Sequence, residues 1–252
     1  MNREIRIFLL DFNAECCSRW KHYLQKIKQD NLELNWLGRR VSIETFCGTL
    51  SNFGKTNQKS IGSQVGLTAI VSPGNSLGFL RGGFDLAIAE FFVEDKKDFL
   101  LTESRLQNQI GLNANGYVPV GCARLVKFDE KHDISFANSK AWKLLRSNHI
   151  LHIPTMAVPE SLISFLSTDS ISRLVFDCTW QILTTINSYN MHHFNDEYLE
   201  TIVISGLGTG WGKVPYDICA RSMITAIIIF TTAGLSPHEK SLKCLRFINK
   251  IK

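Results

Sequence analysis

Short, largely apolar runs separated by helical segments are the feature that most restricts the fold of this chain. Three of them are Ile5–Leu10, Leu67–Val71 and Thr201–Ser205. Runs of this length and composition are typical of strands buried on both faces of a sheet. After the first run, Trp20, Leu24 and Ile27 recur at helical spacing. Strands that alternate with helices predict a layered α/β domain with a mainly parallel sheet.

The same patterns predict the remaining elements. Further strands are expected at Val41–Cys47, Gly121–Phe128 and Ile150–Ile153, and further helices at Phe84–Phe92, Asp98–Ile110, Asp169–Tyr189 and Pro215–Thr232. Residues 49–64 are polar and rich in Gly, Ser and Asn, which predicts a surface loop. Residues 239–252 form a basic C-terminal segment, for which a solvated helix face is expected. With no repeat and no linker, residues 1–252 are expected to form a single domain.

The composition of the chain excludes several classes of protein and of binding partner. A hydrophobic content of 44% with 20% charged residues excludes general disorder. The 28 Lys+Arg against 23 Asp+Glu permit an anionic ligand, but nucleic acid is not expected. The 7 cysteines have no zinc or redox spacing, so we expect no metal, no cofactor, and reduced thiols in a cytoplasmic or nuclear protein. The apolar run Met223–Phe230 is far too short to span a membrane, so we expect a soluble protein. We also expect a monomer.

Two glycine-rich segments follow two of the apolar runs. The first occupies Ser72–Gly83, and the second, Gly206–Gly212, has four glycines in seven residues. Backbone amides in such loops, next to the start of a helix, form sites for phosphate. Neither segment has the spacing of a Walker loop or of G-x-G-x-x-G. For either loop alone, a sharp turn that only reverses the chain is an equally good interpretation. The two loops together favour a nucleotide-phosphate site at the carboxyl ends of the strands.

The residues of these loops resemble a known family. Ile70-Val-Ser-Pro-Gly-Asn75, followed by Gly82-Gly83-Phe84-Asp85, resembles the first binding loop of macrodomains, and Gly206-Leu-Gly-Thr-Gly-Trp-Gly-Lys-Val-Pro215 resembles their second. Pro119-Val-Gly121 and Pro154–Pro159 are similar to a subgroup of fungal ADP-ribose 1''-phosphate phosphatases. The resemblance implies a three-layer α/β/α macrodomain fold with a central mixed, mainly parallel sheet. It also implies ADP-ribose, or a phosphorylated or protein-linked derivative, as the small-molecule ligand.

The resemblance also implies roles for single residues. Asn75 would hydrogen-bond the distal ribose, and Asp85, ten positions later, would orient or deprotonate water. The remaining positions that it assigns to the ligand site are Gly74, Arg81, Gly82, Gly83, Phe84, Gly206, Gly208, Thr209, Gly210 and Trp211. Of these, residues 208–210 would hold the diphosphate through backbone amides, and Trp211 would lie over the ribose and phosphates.

Three positions depart from the family pattern. Thr49 stands where the family has the aspartate that binds the adenine amino group, which predicts only modest discrimination for adenine. Arg81 replaces a glycine of the first loop, and could either bind a terminal phosphate or crowd the ribose. Ala89 stands where some active relatives have a histidine, so no general acid is expected at that position.

The residues leave several readings open. Asp85 could be a catalytic carboxylate, or it could simply favour the first turn of its helix. His149 and His152 are three apart on an expected strand and should face opposite sides, so a metal pair is not expected. For the whole chain, the leading hypothesis is a phosphatase acting on ADP-ribose 1''-phosphate, a by-product of tRNA splicing. The alternatives are a non-catalytic binding module for ADP-ribose or ADP-ribosylated protein, and an ADP-ribosyl hydrolase using Asn75 and Asp85.

Overall fold

The computed structural model describes residues 4–62 and 65–250, and contains a seven-stranded sheet. The strands are β1 (Glu4–Asp11), β2 (Asn35–Trp36), β3 (Arg39–Cys47), β4 (Leu67–Ser72), β5 (Arg124–Lys127), β6 (Ser147–His152) and β7 (Leu199–Ile204). The helices are α1 (Ala14–Gln29), α2 (Leu50–Gly62), α3 (Gly83–Phe91), α4 (Leu100–Ala114), α5 (Ile134–Ala137), α6 (Lys140–Leu145), α7 (Thr168–Asn190), α8 (Tyr216–Thr231) and α9 (Pro237–Lys250). Each strand and helix named from the apolar pattern is present, with shifted ends.

The sheet has the order β2-β3-β1-β7-β4-β6-β5. The five inner strands pair in parallel, and the edge strands β2 and β5 pair antiparallel with their neighbours. The predicted mixed, mainly parallel sheet is therefore confirmed. Because β1, β7, β4 and β6 run in the same direction, their carboxyl ends meet at one edge of the sheet, where ligands bind in open α/β folds.

Helices cover both faces of the sheet. Along β1 the side chains alternate, so that Ile7 and Leu9 join one buried cluster while Phe8 and Leu10 join the other. Helices α1, α7 and α8 complete the first cluster, and α2 to α6 complete the second. These layers confirm the predicted α/β/α arrangement.

The basic C-terminal segment forms α9, which packs outside α7 and α8. The ring of Phe247 stacks on Phe176, with ring centroids 4.7 Å apart, and Cys244 joins the same apolar contact. Residues 251–252 of the predicted segment lie outside the described residues. In the described part of the chain, none of the helices combines the length and apolarity that crossing a bilayer requires.

The predicted surface loop at residues 49–64 is wrong, because most of it forms α2. The Thr49 hydroxyl accepts a hydrogen bond from the Asn52 amide at 3.2 Å, as an N-cap does. Phe53 is fully buried and meets the Phe8 ring edge-on at 4.9 Å. Only Leu50, Phe53, Gly54 and Ile61 of this helix are buried, so its apolar stripe is too sparse to show as periodicity. Residues 63–64 lie outside the described residues.

Candidate ligand-binding site

A cavity of about 360 Å³ opens at the carboxyl ends of β1, β4 and β7. Four segments form its walls, namely residues 11–13 after β1, the first glycine loop with the start of α3, residues 156 and 159 after β6, and the second glycine loop with Tyr216. The two glycine loops that the sequence singles out therefore line one cavity.

Almost all of the predicted site residues lie in this cavity wall. They are Gly74, Asn75, Arg81, Gly82, Gly83, Phe84, Asp85, Gly206, Gly208, Thr209, Gly210 and Trp211. Thr49 is the exception, since it caps α2 and is not among the residues that line the cavity. Ala89, where relatives have a histidine, is fully buried in the apolar cluster beneath α3. A side chain at position 89 is thus part of the core, away from the cavity lining.

The second glycine loop is folded tightly on itself. Gly208 has a φ of +70°, and a Cβ there would come within 2.9 Å of Val214. The Val214 amide donates to the Gly208 carbonyl at 3.1 Å, and the Thr209 hydroxyl donates to the Gly206 carbonyl at 3.0 Å. Among the described residues, no acceptor takes the amides of Gly208, Gly210 and Trp211. Backbone donors left over in a cavity wall are suited to an anionic group such as phosphate.

Trp211 connects the two loops across the mouth of the cavity. Trp211 is 65% exposed, whereas Gly206 and Gly208 of the same loop are buried. A Cβ added to Gly82 would lie 3.5 Å from the indole nitrogen, so the indole reaches the first loop. This aromatic ring can therefore cover a ligand that lies between the loops.

The Asn75 side chain holds the first loop in shape. Its Nδ2 donates to the Phe79 carbonyl at 2.9 Å, and its Oδ1 accepts from the amides of Leu77 at 3.1 Å and Phe79 at 3.4 Å. One Nδ2 hydrogen remains for a ligand after these bonds. Asn75 thus has a structural role in the loop in addition to the binding role implied by the resemblance.

Arg81 is held by a buried carboxylate behind the first loop. Its Nη2 donates to Oε1 of Glu103 at 2.8 Å, and Nε donates to the same oxygen at 3.1 Å. Glu103 also accepts the Leu80 amide at 2.8 Å. The arrangement orients the guanidinium at the cavity edge, but it also pairs the positive charge before any ligand binds.

Asp85 lines the cavity and contacts Ser72 at the end of β4, which in turn lies near His152 at the end of β6. The Ser72 hydroxyl donates to Oδ1 of Asp85 at 2.8 Å, and lies 3.4 Å from Nδ1 of His152. Burial raises the pKa of Asp85 to about 7, against the opposing effect of the Ser72 hydrogen bond. Burial likewise lowers the pKa of His152 to about 4, so its ring is neutral at physiological pH. His149 faces the other side of the sheet, edge-on to Tyr189, as predicted.

The end of β1 supplies the far wall of the cavity. Asp11 is 8% exposed and accepts the Asn13 amide on Oδ1 at 2.9 Å and the Gly206 amide on Oδ2 at 3.3 Å. Burial raises its pKa. Phe12 beside it is 73% exposed. The carboxylate can hydrogen-bond to a planar heterocycle, and the exposed aromatic ring beside it can stack on the same heterocycle.

The chain is similar to known proteins in sequence and in structure. The model of the Macro-like domain family matches residues 1–245. The chain belongs to this family. Among solved structures, it is similar to the Oceanobacillus iheyensis macrodomain with ADP, at 18% identity and a TM-score of 0.45, covering 73% of this chain and 86% of that one. It is also similar to a mutant of that macrodomain with ADPR, at 15% identity and a TM-score of 0.44, covering 75% of this chain and 90% of the other.

Several residues in or next to this macrodomain site were not assigned to it from the sequence. Four of them are Asp11, Phe12, Ser72 and His152. The first three could have been predicted from the sequence. Each lies where a buried apolar run ends, and ligands bind at the carboxyl ends of parallel strands. His152 also ends its strand, but its contact with Ser72 depends on the pairing of β4 with β6, which no local pattern reveals.

Proposed function

We propose that this macrodomain binds ADP-ribose-type ligands in the cavity and hydrolyses the phosphomonoester of ADP-ribose 1''-phosphate. The observation that carries the proposal is the joint presence, in one cavity, of unused backbone donors in the second loop and of Asp85 beneath the first. The donors suit a diphosphate, and the carboxyl group can exchange a proton beside it. Resemblance to the fungal phosphatase subgroup supports the same substrate.

The strand order supports one orientation of the ligand. Strand β7 lies between β1 and β4, so the second loop lies between the Asp11 end and the Asp85 end of the cavity. A diphosphate held by that loop would extend toward both ends. With the distal ribose at Asn75 and Gly82, the adenine would lie against Asp11 and Phe12, where the carboxylate would accept the adenine amino group.

The chemistry at the distal end is a displacement at phosphorus. A water oxygen would bond to phosphorus, the bond from phosphorus to the ribose oxygen would break, and that oxygen would take up a proton. Amides and the Arg81 guanidinium would stabilise the charge on the phosphoryl oxygens. Asp85 is the group within the cavity that would exchange the protons, and Asn75 would position the ribose.

One observation favours the alternative of a binding module without turnover. The charge of Arg81 is already paired with Glu103, which weakens its contribution to a transition state that carries extra negative charge. A module of this kind would retain affinity for ADP-ribose because the second loop and the Asp11 end do not depend on Arg81.

Two measurements on the purified protein test the proposal. Calorimetry with ADP-ribose tests binding, and release of inorganic phosphate from ADP-ribose 1''-phosphate tests turnover. We expect both, with turnover falling by about 10²–10⁴-fold in Asp85→Asn while ADP-ribose affinity changes little. Binding without phosphate release would favour the module, and release of ADP-ribose from modified protein would favour the ADP-ribosyl hydrolase. Absence of binding would refute the proposal.

A further inference from the structure

A chain of buried polar groups links Asp85 to the backbone of the first loop. Ser72 lies between the two ends, 2.8 Å from Asp85 Oδ1 and 3.4 Å from His152 Nδ1. On the other side of the ring, His152 Nε2 is 2.9 Å from the Asn75 carbonyl oxygen. Ser72 and His152 are both fully buried, so water does not complete their hydrogen bonds. The order is therefore Asp85, Ser72, His152, Asn75.

The direction of the hydrogen bonds in this chain follows from the Asn75 end. A carbonyl oxygen can only accept, so the hydrogen of the neutral His152 ring must be on Nε2. Nδ1 is then a bare lone pair and requires a donor. Within hydrogen-bond distance, the donor that the structure offers is the Ser72 hydroxyl, which has a single hydrogen.

Ser72 can donate to only one of its two neighbours at a time. If Asp85 is ionised, its Oδ1 takes the hydroxyl hydrogen and the buried Nδ1 of His152 has no donor, which is costly. If Asp85 is protonated, it can donate to the Ser72 oxygen, and Ser72 can then donate to His152. With a neutral His152 ring, every group in the chain is satisfied only in this second arrangement.

We propose that His152 acts through Ser72 to hold Asp85 as a neutral carboxylic acid, and that the site is thereby built to accept a negatively charged group beside Asp85. His152 is a positioning residue, because it touches Ser72 and the Asn75 backbone and does not line the cavity. The second half of the proposal rests on the proposed function, since it concerns the phosphorylated ligand.

The surroundings of Asp85 agree with this assignment. Burial is the main cause of its raised pKa, and within the described residues no charged side chain is among the causes. The charged groups that line the same cavity are Asp11, at the β1 end, and Arg81, which is paired with Glu103. His152 itself faces the Asn75 carbonyl and Ser72, with burial lowering its pKa. The proton on Asp85 is therefore controlled by the hydrogen-bond chain and by burial.

The first test uses the unmodified protein and no ligand. Carbon-13 NMR of the aspartate carboxyls, assigned with Asp85→Asn, gives the ionisation midpoint of Asp85, and nitrogen-15 NMR follows Nδ1 of His152. We expect Nδ1 to lose its hydrogen bond at the midpoint of Asp85, and to show no such transition in Asp85→Asn. If the His152 Nδ1 resonance does not change as Asp85 ionises, the proposal is overturned. This outcome does not depend on whether the protein binds ADP-ribose.

Two substitutions of His152 separate its two hydrogen bonds. His152→Gln can keep the donor to the Asn75 carbonyl but removes the acceptor near Ser72, whereas His152→Asn can keep the acceptor and removes the donor. We expect His152→Gln to lower the Asp85 midpoint by about one pH unit, a tenfold loss of proton affinity, and His152→Asn to retain it. Equal midpoints in wild type and a folded His152→Gln would overturn the proposal. If either variant fails to fold, the NMR titration of the unmodified protein still tests whether His152 responds to the ionisation of Asp85.

The ligand test compares two affinities across pH. The affinity for ADP-ribose 1''-phosphate, divided by that for ADP-ribose, should fall as pH rises through the Asp85 midpoint, because the ionised carboxylate repels the added phosphate. Asp85→Asn should remove this fall. A ratio independent of pH in the wild type, with both ligands bound, would refute the role in accepting charge while leaving the proposed binding function intact.

Discussion

Replacing Asp85 with asparagine should stabilise the folded protein at neutral and alkaline pH. The substitution keeps a donor toward Ser72, because the asparagine Nδ2 can take the place of Oδ1, which lies 2.8 Å from the Ser72 hydroxyl oxygen in the native site. It removes a carboxyl group whose pKa burial raises to about 7 from an ordinary value of 3.8. An ionised carboxylate at this position is therefore a cost to the folded state that asparagine does not carry.

The sign and size of the effect follow from that pKa. Because the folded-state pKa lies above the unfolded one, the contribution of Asp85 to stability is complete below about pH 4 and is lost as pH rises to about 7. At about 1.4 kcal/mol per pKa unit, the full loss is about 4 kcal/mol. Asp85 keeps part of its surface open to the cavity, so we expect roughly half of that, about 2 kcal/mol, after screening by solvent.

Urea unfolding at pH values from 4 to 9 measures this difference. The free energies of unfolding of wild type and Asp85→Asn should converge near pH 4, separate as pH rises to about 7, and stay apart above it. Glu90→Gln is the matched control, since it removes a carboxylate from the same helix outside the cavity. Parallel pH profiles for wild type and Asp85→Asn would refute the reasoning, because Asp85 would then ionise as easily in the folded protein as in the unfolded chain.

Three further predictions concern the loops and the base. Gly210→Glu should abolish ADP-ribose binding in calorimetry while Gly210→Ala retains it, because a Cβ at 210 would have no atom within 4 Å, whereas a glutamate would bring a negative charge toward the phosphates. Asn75→Ala should lower the free energy of unfolding by about 2–3 kcal/mol in urea melts as well as weaken binding, because it removes three loop hydrogen bonds worth about 1 kcal/mol each. The hypoxanthine analogue of ADP-ribose should bind at least tenfold more weakly than ADP-ribose, and Asp11→Asn should shrink that difference, because a keto oxygen cannot donate to the Asp11 carboxylate.

The fold was predictable wherever apolar residues were dense enough to show their period. The apolar residues of β7 and α7 show the period of a strand and of a helix, and both elements lie close to their expected positions. The helix α2 was not predictable in the same way, because few of its residues are apolar, and the largest of them, Phe53, contacts Phe8 from a distant part of the sequence. Apart from Leu50, Phe53 and Ile61, its positions are glycine, serine, asparagine, lysine, threonine and glutamine, most of which are also common in loops. The helix forms because tertiary packing overrides a weak local preference.

At the end of the cavity proposed to hold the base, matching residues one by one to those of relatives does not find the binding group. Gly48-Thr49-Leu50 corresponds to the family segment whose aspartate binds adenine, but β1 lies between β3 and β7, so the end of β1 is the nearer wall of the cavity. The carboxylate at that wall is Asp11, which comes 38 positions earlier in the sequence than Thr49. The expectation of modest adenine discrimination rested on Thr49, and with Asp11 in the wall the expectation reverses. A site at the carboxyl ends of parallel strands is determined by which strands are neighbours, so a functional group can be supplied by a different segment of the chain while the chemistry of the cavity stays the same.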